Sequence, residues 1–254
     1  MARDLRYYTL YGLFLFLLLE ALLYAAIHWW PAFSENMGAL KAMAAPLPML
    51  KDQITLVDKL GAPAYVVGQH YFKACNILGT NAAVLFAANA IAGEAHRGTL
   101  EVWLARPVSR LRLYSERFGM GMGAIFLAVL ASSLTTPPLL RTVGARMHAW
   151  DLTLCSVYQT VFLGTFFAFT YALSARSGQP IKIAFFLLFF AIAQFAIYMV
   201  KTITHYSVFR WADIETFARI VATDTLPWTR VGVMLALQAV FFGIGYHWFR
   251  HRTP

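Results

Sequence analysis

The chain has 254 residues, 59% of them hydrophobic and only 13% charged, with a formal net charge of +9. Soluble domains carry about 25% charged residues, so this balance excludes an ordinary soluble domain and places the chain in a bilayer. The basic excess then reads as Lys and Arg held against anionic lipid, and no nucleic-acid partner is expected.

A span needs about 20 apolar residues in a helix, the open-chain form that satisfies its own backbone groups in hydrocarbon. Six stretches meet that length: 7–30, 74–93, 118–140, 152–175, 183–200 and 231–249. No period-2 barrel pattern competes with them. The expected architecture is an all-α polytopic membrane protein, a single transmembrane domain over 1–254 with both termini on one side.

The first span is too long for a signal-peptide core of about 7–15 residues and is expected to remain uncleaved. It contains Glu20 in "FLFLLLEALLYAA". An acid at mid-span costs about 2.5–3.5 kcal/mol on insertion scales, so Glu20 should face protein, water or a partner. Two readings stay open: a substrate or proton contact, and a structural hydrogen bond between helices. Residues 31–73 follow as an outer connection carrying Pro31, Pro46, Pro48, Pro63 and the amphipathic piece "MLKDQITLVDKL".

The second span offers a small-residue ridge at Gly79, Ala83 and Ala87, and the third opens on "GMGMG", a GxxxG pair at Gly119 and Gly123. Both patterns predict close helix packing. Asn76, Asn81, Asn89, Gln159 and Gln194 form no single stripe and are expected to hydrogen-bond between helices. The Phe-rich fifth span reads as lipid-facing. A second outer connection, 201–230, contains "RWADIETFARIV", with apolar residues at helical spacing. Trp29, Trp30, Tyr71, Trp150, Trp228, Tyr246 and Trp248 flank the spans as interface anchors.

Cys75 and Cys155 lie in apolar segments without CxxC or Cys/His spacing and read as packing residues. His28, His70, His148, His205 and His247 fall near span ends with no ligand spacing, so no metal site is expected. There is no GxSxG, no paired loop carboxylates and no Ser/His/Asp set, so no catalytic residue is assigned.

The polar run 93–117, "GEAHRGTLEVWLARPVSRLRLYSER", separates the second and third spans. Thr99 is placed to cap a short helix over 98–105, on which Leu100, Trp103 and Leu104 share an apolar face and Glu101 suits the N-terminal dipole. Pro107 stops that helix, and Ser109 caps the next one, which runs into the third span. Glu94, directly after the second span, lies within reach of Arg97, Arg106 and Arg110. A carboxylate there either braces the exit angle of the span or is a solvated surface charge.

Five arginines crowd this one short connection, at 97, 106, 110, 112 and 117, which argues for a cytosolic position. Arg3, Arg6, Arg176, Lys182, Arg250 and Arg252 fall on the same side, giving eleven of 21 basic residues, while Arg141 and Arg146 argue the other way. Both termini and 93–117 are expected to be cytosolic, with 31–73 and 201–230 on the far side.

This stretch resembles the ABC type-2 (ABC-2) transporter permease family in Gly93-Glu94, Gly98-Thr99-Leu100-Glu101 and Pro107-Val108-Ser109-Arg110, at the family's spacing and between the second and third of six spans. The motif covers residues 85–118, and the rest of the chain is matched by span count alone. His96-Arg97 stands where the family often has a denser charged run.

The resemblance implies a permease subunit of an exporter in a bacterial inner membrane. It would pair with a second permease copy or a homologous permease and with two ATP-binding-cassette subunits. The short helix would dock on those ATPases, making Glu94, Gly98, Thr99, Leu100, Glu101, Trp103, Leu104, Pro107 and Arg110 the partner-binding set. The chain has no GxxxxGK[ST] loop, so ATP and Mg are expected in the partner subunit and no cofactor in this chain. The competing reading is a self-sufficient ion-coupled carrier or intramembrane enzyme using Glu20. No motif names a cargo.

Overall fold

The computed structural model describes residues 2–105 and 107–252, with side chains from Leu5 onward. Arg106, and Arg3 as a side chain, lie outside the described residues. Every regular element among the described residues is helical. Five helical segments are long and apolar enough to cross a membrane: Leu5–Glu35, Arg110–Arg141, Ala149–Arg176, Pro180–Met199 and Trp228–Arg250.

Helix α1 spans Ala2–Glu35 and carries Pro31 within its last turns. At 1.5 Å per residue it is roughly 50 Å long, well beyond a hydrocarbon core of about 30 Å. It therefore outruns the expected end at Trp30. One turn residue, Asn36, ends the helix, and its Nδ2 donates to Ala32 O at 2.8 Å. Helices α2 (Met37–Ala44) and α3 (Pro48–Leu60) follow, joined by a Lys41–Asp58 ion pair at 2.5 Å. Pro48 opens α3, where its missing N–H costs nothing, and Met49, Ile54 and Val57 form the buried face.

The expected division of an outer connection at 31–73 from a span at 74–93 is corrected. The chain is helical without interruption from Ala62 to Ala90, as α4 (Ala62–Val66), a π-helical stretch (Val67–Gly79) and α5 (Thr80–Ala90). His70 and Lys73 break the apolar run in the sequence but not the helix. His70, expected near a span end, is 1% exposed, with Nε2 3.2 Å from Ser133 Oγ and 3.4 Å from Ser132 Oγ. Tyr71 is not an interface anchor either: it is fully buried and its hydroxyl donates to Leu152 O at 2.9 Å.

Two short helices come next, α6 (Ala92–His96) and α7 (Leu100–Leu104), then α8 (Arg110–Leu134) with its continuation α9 (Thr136–Arg141). Ser109 Oγ accepts from Arg112 N at 3.3 Å, the cap expected for α8. Helices α10 (Ala149–Arg176) and α11 (Pro180–Met199) are followed by two 3₁₀ turns (Thr204–Tyr206 and Val208–Ala212), α12 (Ile214–Thr223) and α13 (Trp228–Arg250).

Helix α10 is the centre of the bundle. Of its most apolar window 72% is buried, against 22–33% for the other four candidates. It packs on α5, α8 and α13. Its polar side chains, Ser156, Gln159, Thr160, Thr170 and Ser174, are buried with its apolar ones, as suits a helix inside a bundle. Its neighbours approach through glycines. A Cβ on Gly245 of α13 would sit 2.7 Å from Ala172 Cα, and one on Gly164 of α10 would sit 2.8 Å from Gln238 Oε1.

The ridge at Gly79, Ala83 and Ala87 is closely packed: both alanines are 0% exposed and a Cβ on Gly79 would collide with Leu163. The GxxxG pair is not. Gly119 and Gly123 have nothing within 4 Å of a Cβ, and the close approach falls on Gly121 between them, against the Phe167 ring. A helix turns about 100° per residue, so Gly121 faces away from the flanking glycines. The dispersed amides divide in two. Asn76 Nδ2 donates to Ala212 O at 2.8 Å and Gln159 Nε2 to Asn76 Oδ1 at 2.9 Å, whereas Asn81 and Asn89 bond within their own helices.

Residues distant in sequence meet at two ends of the bundle. At one end Lys201 pairs with Asp52 at 2.7 Å, joining the 31–73 and 201–230 segments. At the other, Arg110 Nη1 donates to Phe249 O, Arg250 O and Arg252 O at 3.3, 2.9 and 2.8 Å. There too Arg252 Nη1 donates to Ala175 O at 3.0 Å and Ser177 O at 3.3 Å, and Arg97 lies in electrostatic reach of Tyr7.

Gly121→Leu forces a side chain into the Phe167 ring and should destabilise the protein by about 1–3 kcal/mol. Gly119→Leu should leave stability unchanged. Thermal unfolding of both variants in detergent checks the contrast; equal midpoints would overturn this placement of the α8 packing face.

Candidate functional site

The polar run between α5 and α8 is built from a helix end. Helix α5 stops at Ala90, where Ile91 leaves helical geometry at φ −120° and ψ −51°. The N–H groups freed at this break are taken by Ser174 Oγ of α10, which accepts from Ile91 N at 3.2 Å and Ala92 N at 2.8 Å. The same hydroxyl donates to Ala88 O at 2.9 Å.

One turn later α6 ends in a Schellman motif. Gly98 has φ +68°, a left-handed conformation that favours glycine. Its N–H donates to Ala95 O at 3.1 Å, and Thr99 N–H donates to Glu94 O at 3.0 Å. The glycine of the Gly98-Thr99-Leu100-Glu101 run is thus the residue that reverses the chain.

That reversal folds α7 back over Glu94. The Glu94 carboxylate, 5% exposed, accepts from Arg97 Nη2 at 2.7 Å and Trp103 Nε1 at 3.1 Å, and from the Thr99 hydroxyl. Arg117 of α8, also 5% exposed, lies over the Trp103 ring at 4.2 Å and donates to Ala90 O. One carboxylate therefore ties α6 to α7, and Arg117 links that group and the end of the 62–90 run to α8. Burial alone would raise the Glu94 carboxyl. The Thr99 and Arg97 hydrogen bonds and the Arg117 charge outweigh it and hold the group below its ordinary value.

Several expectations change here. Thr99 sits at the start of α7 but makes no side-chain cap; its hydroxyl turns back to Glu94 instead. The apolar face exists, but it faces inward. Leu100 and Trp103 are 6% and 7% exposed and Leu104 is half-buried, while Glu101, Val102 and Ala105 are exposed. The helix is five residues long, Leu100–Leu104, and ends three residues before Pro107.

Glu94 is not a solvated charge, and among the described residues Arg97 is the arginine paired with it. Arg110 instead binds the carbonyls at the end of α13, where a cation suits the helix C-terminus. Glu20, on the opposite reach of the bundle, is half-buried and accepts from Thr135 Oγ1 at 2.8 Å, a bond between α1 and the end of α8. Arg117, Ser174 and Arg252 carry no assigned role in the sequence reading. The signal for Arg117 is its place as the last of the five arginines before the third span; Ser174 and Arg252 offer none, because their partners are distant backbone carbonyls and amides.

The helical bundle with its long apolar helices is that of an integral membrane protein. The sequence matches the ABC-2 family transporter protein family over residues 3–253, and the chain belongs to that family. It is thus the membrane subunit of an ABC transporter rather than its ATPase. No curated protein matches the sequence.

Glu94→Ala removes the carboxylate to which the Trp103 N–H and the Thr99 hydroxyl donate and should destabilise the segment by about 1–3 kcal/mol. The Arg97 pair adds little, since that side chain is 53% exposed. Because the Glu94 pKa is lowered on folding, its contribution is complete above the unfolded value of about 4.3 and is lost as pH falls through the lower folded value. Hydrogen exchange at the 99–103 amides should therefore accelerate at pH values below about 4.3 in the unaltered protein and be pH-independent, beyond intrinsic exchange, in Glu94→Gln.

Proposed function

We propose that this chain forms the translocation pathway of an ATP-driven exporter, with ATP and Mg bound by separate ATP-binding-cassette subunits. The uninterrupted helix at 62–90 is the sixth span, so both termini and the 93–117 segment share the cytosolic side of a bacterial inner membrane. A second permease copy or a homologue completes the pathway. The observation that carries this reading is the anchored α6–α7 turn. It is a short element at the end of the bundle that holds the Arg110 and Arg252 contacts, rigidly joined to two membrane helices through Glu94 and Arg117. Such an element passes a push from a soluble partner into the membrane.

The partner-facing surface of that turn is Glu101, Val102 and Ala105, because Leu100 and Trp103 are held by the chain itself. Glu94, Gly98, Thr99 and Trp103 position it. The carrier reading that rests on Glu20 is not favoured by the family to which the chain belongs.

Val102→Asp should abolish co-purification of the ATPase while leaving the permease folded. Trp103→Ala should retain assembly but uncouple hydrolysis from transport. Full assembly and full coupling in both would refute the docking role. For orientation, an impermeant thiol reagent applied outside should label Ser34→Cys and not Ser109→Cys. Both positions are exposed, and Cys75 and Cys155 are buried and silent. The reverse labelling would invert the topology.

A further inference from the structure

A groove of about 350 Å³ runs between α1 and the π-helical stretch. Its α1 wall is Leu22, Ala25, Ala26 and Trp29, at i, i+3, i+4 and i+7, one face of the helix. The opposite wall is Gln69, Lys73 and Ile77, each four residues apart. The two walls run antiparallel: Trp30 lies 5.0 Å from Tyr65 near the end of the bundle that carries the 31–73 segment, and Tyr11 lies 5.3 Å from Phe86 toward the other end. From that end the groove presents Trp29 and Tyr65, then Gln69, then Lys73, and then the apolar Leu22 and Ile77.

Lys73 is the anomaly. It is half-buried in an otherwise apolar and aromatic cleft, and among the described residues no carboxylate or carbonyl pairs with it. A cation held at the edge of hydrocarbon calls for an anionic partner. The groove is open toward lipid: Leu22 and Ile77 below Lys73 are 48% and 47% exposed, and Trp29 above it is 64% exposed. The order of groups matches one class of molecule, with polar and aromatic groups at headgroup height, one positive charge a turn deeper, and an apolar slot beneath.

The geometry points to a binding site for one anionic glycerophospholipid, its phosphate on Lys73 and Gln69 and an acyl chain along Leu22 and Ile77. The site requires only that the chain sits in a membrane. It is independent of ATPase docking, which lies at the other end of the bundle. The lipid seals the seam between α1 and the 62–90 helix and neutralises a cation that the protein leaves unpaired.

The test is native mass spectrometry of the full chain released from nanodiscs of equal palmitoyl-oleoyl phosphatidylglycerol and phosphatidylcholine. The unaltered protein should retain one phosphatidylglycerol in preference to phosphatidylcholine by about fivefold, the factor a single basic residue contributes at an anionic surface. Lys73→Gln should remove that preference, Lys73→Arg should keep it, and Lys182→Gln, an exposed lysine on α11, should leave it unchanged. Ala25→Trp, which fills the slot from an exposed position without touching the charge, should lose the bound lipid. No preference in the unaltered protein, an intact preference in Lys73→Gln, or a retained lipid in Ala25→Trp would each overturn the site.

Discussion

A carboxylate placed where a membrane helix ends organises everything at that end of the protein. Out of water, the Glu94 charge is offset by the donors that converge on it, Arg97, Thr99 and Trp103 among the described residues, and the chain must fold back to supply them. The fold-back needs the left-handed Gly98, and it brings the Trp103 ring under the Arg117 guanidinium. Remove the acceptor and the reason for α7 to lie on α6 is gone. Glu94, Gly98 and Thr99 of the motif therefore have a structural task before they have a partner to meet.

Much of this was legible in the sequence because it rests on local chemistry. Charge-free runs of about 20 residues mark helices whatever their surroundings, so the five strongest were visible at once. Ser109, three residues before Arg112, reads as a cap because both partners sit in one turn. The acid at Glu94 with an arginine three residues on likewise predicts a pair within a turn, and Arg97 supplies it.

What the sequence hid depends on the third dimension. The 62–90 helix is masked in the sequence because Lys73 ends the charge-free run, and only the bundle shows His70 turned inward onto two serines. The short helix shows an apolar face by spacing, yet spacing cannot say which surface covers it. Here the chain covers Leu100 and Trp103 itself, so their burial reports internal packing. The glycine pattern misled for a related reason: a GxxxG spacing identifies one helix face, and the face in use is that of Gly121.

Ser174 gives the break between α5 and α6 a property that its small size conceals. A hydroxyl has one proton and two lone pairs, and here all are occupied, by Ala88 O, Ile91 N and Ala92 N. There is no spare valence for an intermediate position. A slip of the break by one residue along α10 would strand two amides and a carbonyl together, so the junction does not creep. The junction so fixed pins the start of α6 to α10, the most buried helix of the protein.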